Sequence, residues 1–76
     1  MKTMLEKMKE GIAELNIGKD QLIESIIRTD KNLDEMSLKD PKRSDMILVF
    51  AALTDYYEDQ YGWDALCEVL PSMLED

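Results

Sequence analysis

The sequence contains no histidine, which removes the commonest general base and the commonest metal ligand together. A single cysteine, Cys67, leaves no partner for a disulfide within the chain and no way to build a zinc site from thiolates. The three glycines stand singly at positions 11, 18 and 62, so there is no glycine-rich phosphate loop. Beyond Arg43 there is no basic residue: residues 44–76 hold eight acidic side chains and no lysine or arginine. Residues 1–43 hold nine of each sign, so the second half carries the whole net charge of −8. A field of that sign disfavours direct binding to nucleic acid or to an anionic membrane surface. The N-terminus is amphipathic without a continuous apolar block, so no signal peptide is expected. No stretch approaches the roughly 20 apolar residues of a membrane span, so no membrane partner is expected either. The expected location is the cytoplasm.

What is present is a globular composition, 45% hydrophobic and 34% charged over 76 residues, which suits one domain covering 1–76. Its centre is Met46–Leu53, eight consecutive apolar residues. Such a run suits a buried strand or a buried helix equally, and the flanks decide for helix. Asp40-Pro41 reads as an N-cap followed by proline at the first helical position. Met46, Phe50, Leu53, Tyr57 and Tyr61 continue one stripe at three- and four-residue spacing, and Gly62 supplies a stop. A helix over 41–61, apolar almost all round, must be covered on several sides.

The rest of the chain reads as three further amphipathic helices. Thr3-Met4-Leu5-Glu6 has the form of a capping box, and Met4, Leu5, Met8, Ile12 and Leu15 make an apolar stripe over 3–16. Gly11 inside it marks a weak point or a close backbone approach, and Gly18 suits the left-handed residue beyond its end. Asp20 opens a second helix over 20–35, with Leu22, Ile23, Ile26 and Ile27 on its apolar face and a kink or break expected near Thr29. Leu38, in the connection that follows, is expected to plug the bottom of the core. Asp64 is a plausible N-cap for a fourth helix over 64–74, in which Pro71 enforces a kink or end near Leu70 and Met73 and Leu74 add a last turn. The expected fold is all-α, a small compact bundle of about four helices with the third in the middle.

The search for chemistry is brief. Asp55, Glu58, Asp59 and Asp64 cluster in sequence, but no window has the ligand spacing of an EF-hand and no Glu-x-x-His motif exists, so neither a metal nor a cofactor is expected. Cys67 lacks the positive neighbours that activate a thiol and reads as a small buried hydrophobe. No catalytic residues are expected. Ser44-Asp45-Met46, preceding an apolar helix in an acidic half, is similar in outline to helical acyl carrier proteins. That resemblance implies a prosthetic arm on Ser44. The departures are the absence of Asp-Ser-Leu and a helical reading of 20–36, where that family has a long loop.

Two surfaces remain. Asp55, Tyr56, Asp59, Tyr61 and Trp63 combine aromatic rings with acids, a composition typical of interfaces, and point to a basic protein partner. Ile47, Leu48, Ala51 and Ala52 are too apolar for water, and the small alanines permit close approach of a second copy as a homodimer. The expectation is a non-enzymatic interaction or regulatory module. The alternatives are a small acidic inhibitor or immunity protein that blocks a nuclease or a nucleic-acid-binding protein, and an acyl-carrier-like protein modified at Ser44.

Overall fold

Thr3 Oγ1 accepts the Glu6 N–H at 3.1 Å, and Glu6 Oε1 accepts the Thr3 N–H at 3.2 Å. This reciprocal capping box starts α1, Met4–Leu15, in a computed structural model that describes residues 1–70. The helix stops at Asn16, which takes the left-handed conformation (φ 53°) and returns its N–H to the Ala13 carbonyl. Gly18 was the expected left-handed residue, but it is extended and stands as the N-cap of the next helix. Asparagine is one of the few side-chain-bearing residues that tolerate this conformation, so the left-handed position comes two residues earlier and the helix ends at Leu15, one residue short of the expected bound.

The second helix, α2, runs unbroken over Lys19–Glu35, with Asp20 in its first turn. There is no break at Thr29. That hydroxyl donates to the Ser25 carbonyl at 2.7 Å, so a buried polar residue continues the face of Leu22 and Ile26 without an unmet hydrogen bond. The connection that follows is a tight turn in which Ser37 accepts the Asp40 N–H on its carbonyl and the Lys39 N–H on its hydroxyl. Leu38 sits at the tip of that turn and is 83% exposed, so it does not plug the core. Asp40 also organises a turn rather than a cap: its Oδ1 accepts the Lys42 N–H at 2.8 Å and its carbonyl accepts the Arg43 N–H. The third helix, α3, therefore begins two residues later than expected, over Arg43–Tyr61.

Arg43 Nη1 reaches back to the end of α2 and donates to the carbonyls of Leu33 and Met36 at 2.9 and 3.3 Å. Those carbonyls belong to the turn whose acceptors an α-helix cannot satisfy internally, and a cation there also suits the helix dipole. In α3 the successive residues Ala52, Leu53 and Thr54 are all buried. Successive helical residues point 100° apart, so burial of all three requires cover on several sides. α1 and α2 supply most of it, and the last helix, α4, supplies the rest over Trp63–Val69, so that α3 is central. Thr54 Oγ1 donates to the carbonyls of Phe50 and Ala51, which makes its burial tolerable.

Gly62 closes α3 by giving its N–H to the Glu58 carbonyl at 2.8 Å, and its positive φ of 92° reverses the chain directly into α4. Gly62 rather than Asp64 thus stands as the N-cap, and Asp64 lies in the first turn. The helix gives way at Leu70, the residue before a proline, where the helical region is disfavoured. The expected final turn through Met73 and Leu74 lies outside the described residues. Leu22 and Ile26 of α2, Leu53 and Tyr57 of α3, Leu66 of α4 and Leu70 form the buried core. α1 contributes no fully buried residue; Leu5, Met8 and Ile12 are half-buried, and Met4 and Leu15 are exposed.

Candidate protein-interaction site

The expected partner-binding residues fall on two surfaces. Leu48, Ala52, Asp55 and Asp59 are separated by four, three and four residues and so share one stripe of α3. Asp59 binds the Lys9 ammonium of α1, which places the Asp59 end of this stripe beside α1. Ala52, on the same stripe, is 0% exposed. The hydrogen bond to Asp59 raises the pKa of Lys9 above its ordinary value, against the lowering effect of burial and with help from the charges of Asp55 and Glu58. One lysine of the balanced half is thus paired with an acid of the uncompensated half and feels the charges of two more.

Tyr61 is two residues beyond Asp59 and so points to nearly the opposite side of α3. It is 41% exposed, and its ring lies 4.8 Å from that of buried Tyr57 at an interplanar angle of 51°. Lys19, at the start of α2, places its ammonium 5.0 Å from the centre of the Tyr61 ring, within cation–π range. Trp63 follows across Gly62 and is 46% exposed. Tyr56 is half-buried and packs against the edge of the core. The five residues therefore form an acidic stripe whose Asp59 end lies beside α1, an aromatic corner where α3 meets α4, and a core-edge tyrosine. Lys9 and Lys19, the cations that complete both surfaces, were not singled out by the sequence because neither is close to its acceptor along the chain.

The four residues expected to self-associate are also divided. Ala52 is enclosed by the chain's own packing and offers no surface. Leu48 and Ala51 are half-buried, and Ile47 is about half exposed. Ser44 is exposed as the second residue of α3, and residues 19–35 are helical where acyl carriers have a loop. Cys67 is buried in α4; burial above all, and then the charges of Asp64 and Glu58, push its thiol pKa up, away from nucleophilic reactivity. Among the described residues no three acidic or cysteine side chains converge on a point where a metal could sit.

Two shallow apolar grooves run along α2. One, of about 400 Å³, separates α1 from α2 and is floored by Val49 and Leu53 of α3. The other, of about 410 Å³, follows the outer side of α2 past Ile23 and Ile27. Neither gathers an acid, a base and a nucleophile in one place. No protein-family model, curated protein or solved structure matches the chain.

Proposed function

We propose that the chain is a non-enzymatic interaction module that binds a basic protein partner through the acidic and aromatic surfaces of α3 and the start of α4. The observation that carries this reading is the corner at Gly62, where Tyr61 and Trp63 keep large ring faces in water beside Asp64. Burying such rings in a partner removes a large apolar area from water, which is why aromatic side chains anchor many interfaces. Lys19 already lies over Tyr61, so the ring has the geometry to receive a cation. The net charge of −8 would speed encounter with a basic protein and make binding salt-sensitive. The unpaired, buried Cys67 is in keeping with a cytoplasmic setting. The half-exposed Ile47, next to Ala51 on the following turn, supports a homodimer as part of the same reading.

Trp63 is the only tryptophan, so its fluorescence reports on the corner alone. Titration with a synthetic amphipathic helical peptide of leucine, alanine and lysine should change that emission, more weakly as salt rises. Tyr61→Ala should weaken binding about tenfold, the scale of a modest interface hot spot. An unchanged emission, or an affinity indifferent to Tyr61→Ala, would refute the reading. For the homodimer, sedimentation equilibrium should show a dimer that Ile47→Glu converts to monomer, and a monomeric wild type would remove that part.

A further inference from the structure

We infer that α1 is a displaceable strap: it occupies, on its own chain, the stripe of α3 that a basic amphipathic helix of the partner takes on binding. The inference rests on the reading above and adds to its aromatic corner a second docking surface, on the acidic side of α3. The stripe runs from apolar Leu48 and Ala52 to acidic Asp55 and Asp59, and the small, fully covered Ala52 lets a helix approach closely. Its present occupant shows what fits. α1 lays half-buried Leu5, Met8 and Ile12 toward the bundle and sets Lys9 on Asp59.

The capping box favours α1 as a helix, but three other features limit its hold on α3. It has no fully buried residue, and the groove over Val49 and Leu53 leaves it unsupported on the α2 side. Gly11 weakens its interior without gaining a close contact, since nothing lies within 4 Å of where its Cβ would be. The outward Glu6, Glu10 and Glu14 cancel Lys2, Lys7 and Lys9, so residues 1–17 bring no net charge to an acidic surface. A helix with the same apolar spacing and lysines in place of those glutamates is the better electrostatic match. At the centre of the core, Leu22, Ile26, Tyr57 and Leu66 come from α2, α3 and α4, whereas α1 lends only the partly buried Ile12 to its rim and the connection after α1 adds Ile17.

The test uses the full chain, the leucine–alanine–lysine peptide and two variants of α1 that act in opposite directions. Because binding requires α1 to open, the apparent affinity scales with the open fraction. Gly11→Ala strengthens the α1 helix where space is open and should weaken peptide binding about fivefold. Lys9→Met removes the resident cation and should tighten binding roughly two- to threefold, as expected for an exposed ion pair. Hydrogen exchange should show the α1 amides opening well before those of α2 and α3, with Gly11→Ala raising their protection. Exchange of α1 only through global unfolding overturns the inference outright. Peptide binding that perturbs Trp63 but ignores both variants overturns the strap and leaves the aromatic corner standing as the site. Failure of the peptide to bind at all overturns both proposals.

Discussion

Arg43 offers the sharpest test of how this bundle is joined. Its guanidinium belongs to the first residue of α3, yet it serves the last turn of α2 through one bond at 2.9 Å and a second, longer one at 3.3 Å. A hydrogen bond from a charged donor is worth roughly 1.5–3 kcal/mol, and the longer contact counts for less than a full bond. Arg43 is only half-buried, so water takes over part of the role when the side chain is removed. Arg43→Met keeps most of the stem's apolar contact and deletes the donors, and should destabilise the fold by about 2 kcal/mol. In a domain of this size 1 kcal/mol moves the melting temperature by roughly 4–8 °C, so the expected drop is about 10 °C. Urea denaturation followed by circular dichroism measures the free energy, and hydrogen exchange localises it, with protection lost first around Leu33–Met36. Arg43→Lys, which retains charge and one donor direction, should recover about half. A loss below about 0.5 kcal/mol, the scale of an ordinary surface substitution, would refute the assignment of Arg43 as the clasp between α2 and α3.

Other perturbations follow from single observations. Gly62→Ala places a side chain at φ 92° and should cost about 1–3 kcal/mol by thermal melting even though no atom lies in its way. Ile26→Ala empties a fully buried core position and should cost about 2–5 kcal/mol, a large share of the stability of so small a domain, measured by urea titration. Cys67 should react with iodoacetamide far more slowly than free cysteine at pH 8 and reach the free rate in urea, because burial and nearby acids hold the thiol protonated. The Lys9–Asp59 pair should stabilise the protein fully below the ordinary lysine value of 10.5 and less as pH climbs past it, because the folded-state pKa is raised. The difference in urea midpoint between wild type and Lys9→Met should therefore shrink above that pH.

Much of the fold is legible from local pattern, because the decisive signals are short-range. The capping box at Thr3 and Glu6 involves side chains one turn apart, and the structure makes both of its bonds. The all-round apolarity of Met46–Leu53 requires cover from several neighbours, and three helices pack on α3, although within that run only Ala52 and Leu53 are fully buried. Boundaries fared less well, since several residues compete for each one. Asn16 took the left-handed position open to Gly18, and Asp40 used its carboxylate for a turn before the helix rather than for a cap. Leu38 illustrates a different limit: its apolarity argues for burial, but backbone bonds of the surrounding turn set its direction.

The candidate site was less legible because charge along a chain is not charge in space. Counted along the sequence, residues 44–76 have no compensating cation; folded, Lys9 pairs with Asp59 and feels the charges of Asp55 and Glu58, and Lys19 lies over Tyr61. The same helical geometry that puts Asp55 and Asp59 together turns Tyr61 to the other side, so an acidic–aromatic segment became two surfaces with different occupants. Ala52 changed meaning for the same reason, since a small residue that permits close approach does not say whose helix approaches. In this fold Ala52 is fully buried within its own chain, on the stripe whose Asp59 holds Lys9 of α1. Each surface that looked free in the sequence thus already holds a lysine, Lys9 at Asp59 and Lys19 at Tyr61, while Trp63 keeps about half its surface exposed. Any partner that needs the acids of α3 must contend with Lys9 first.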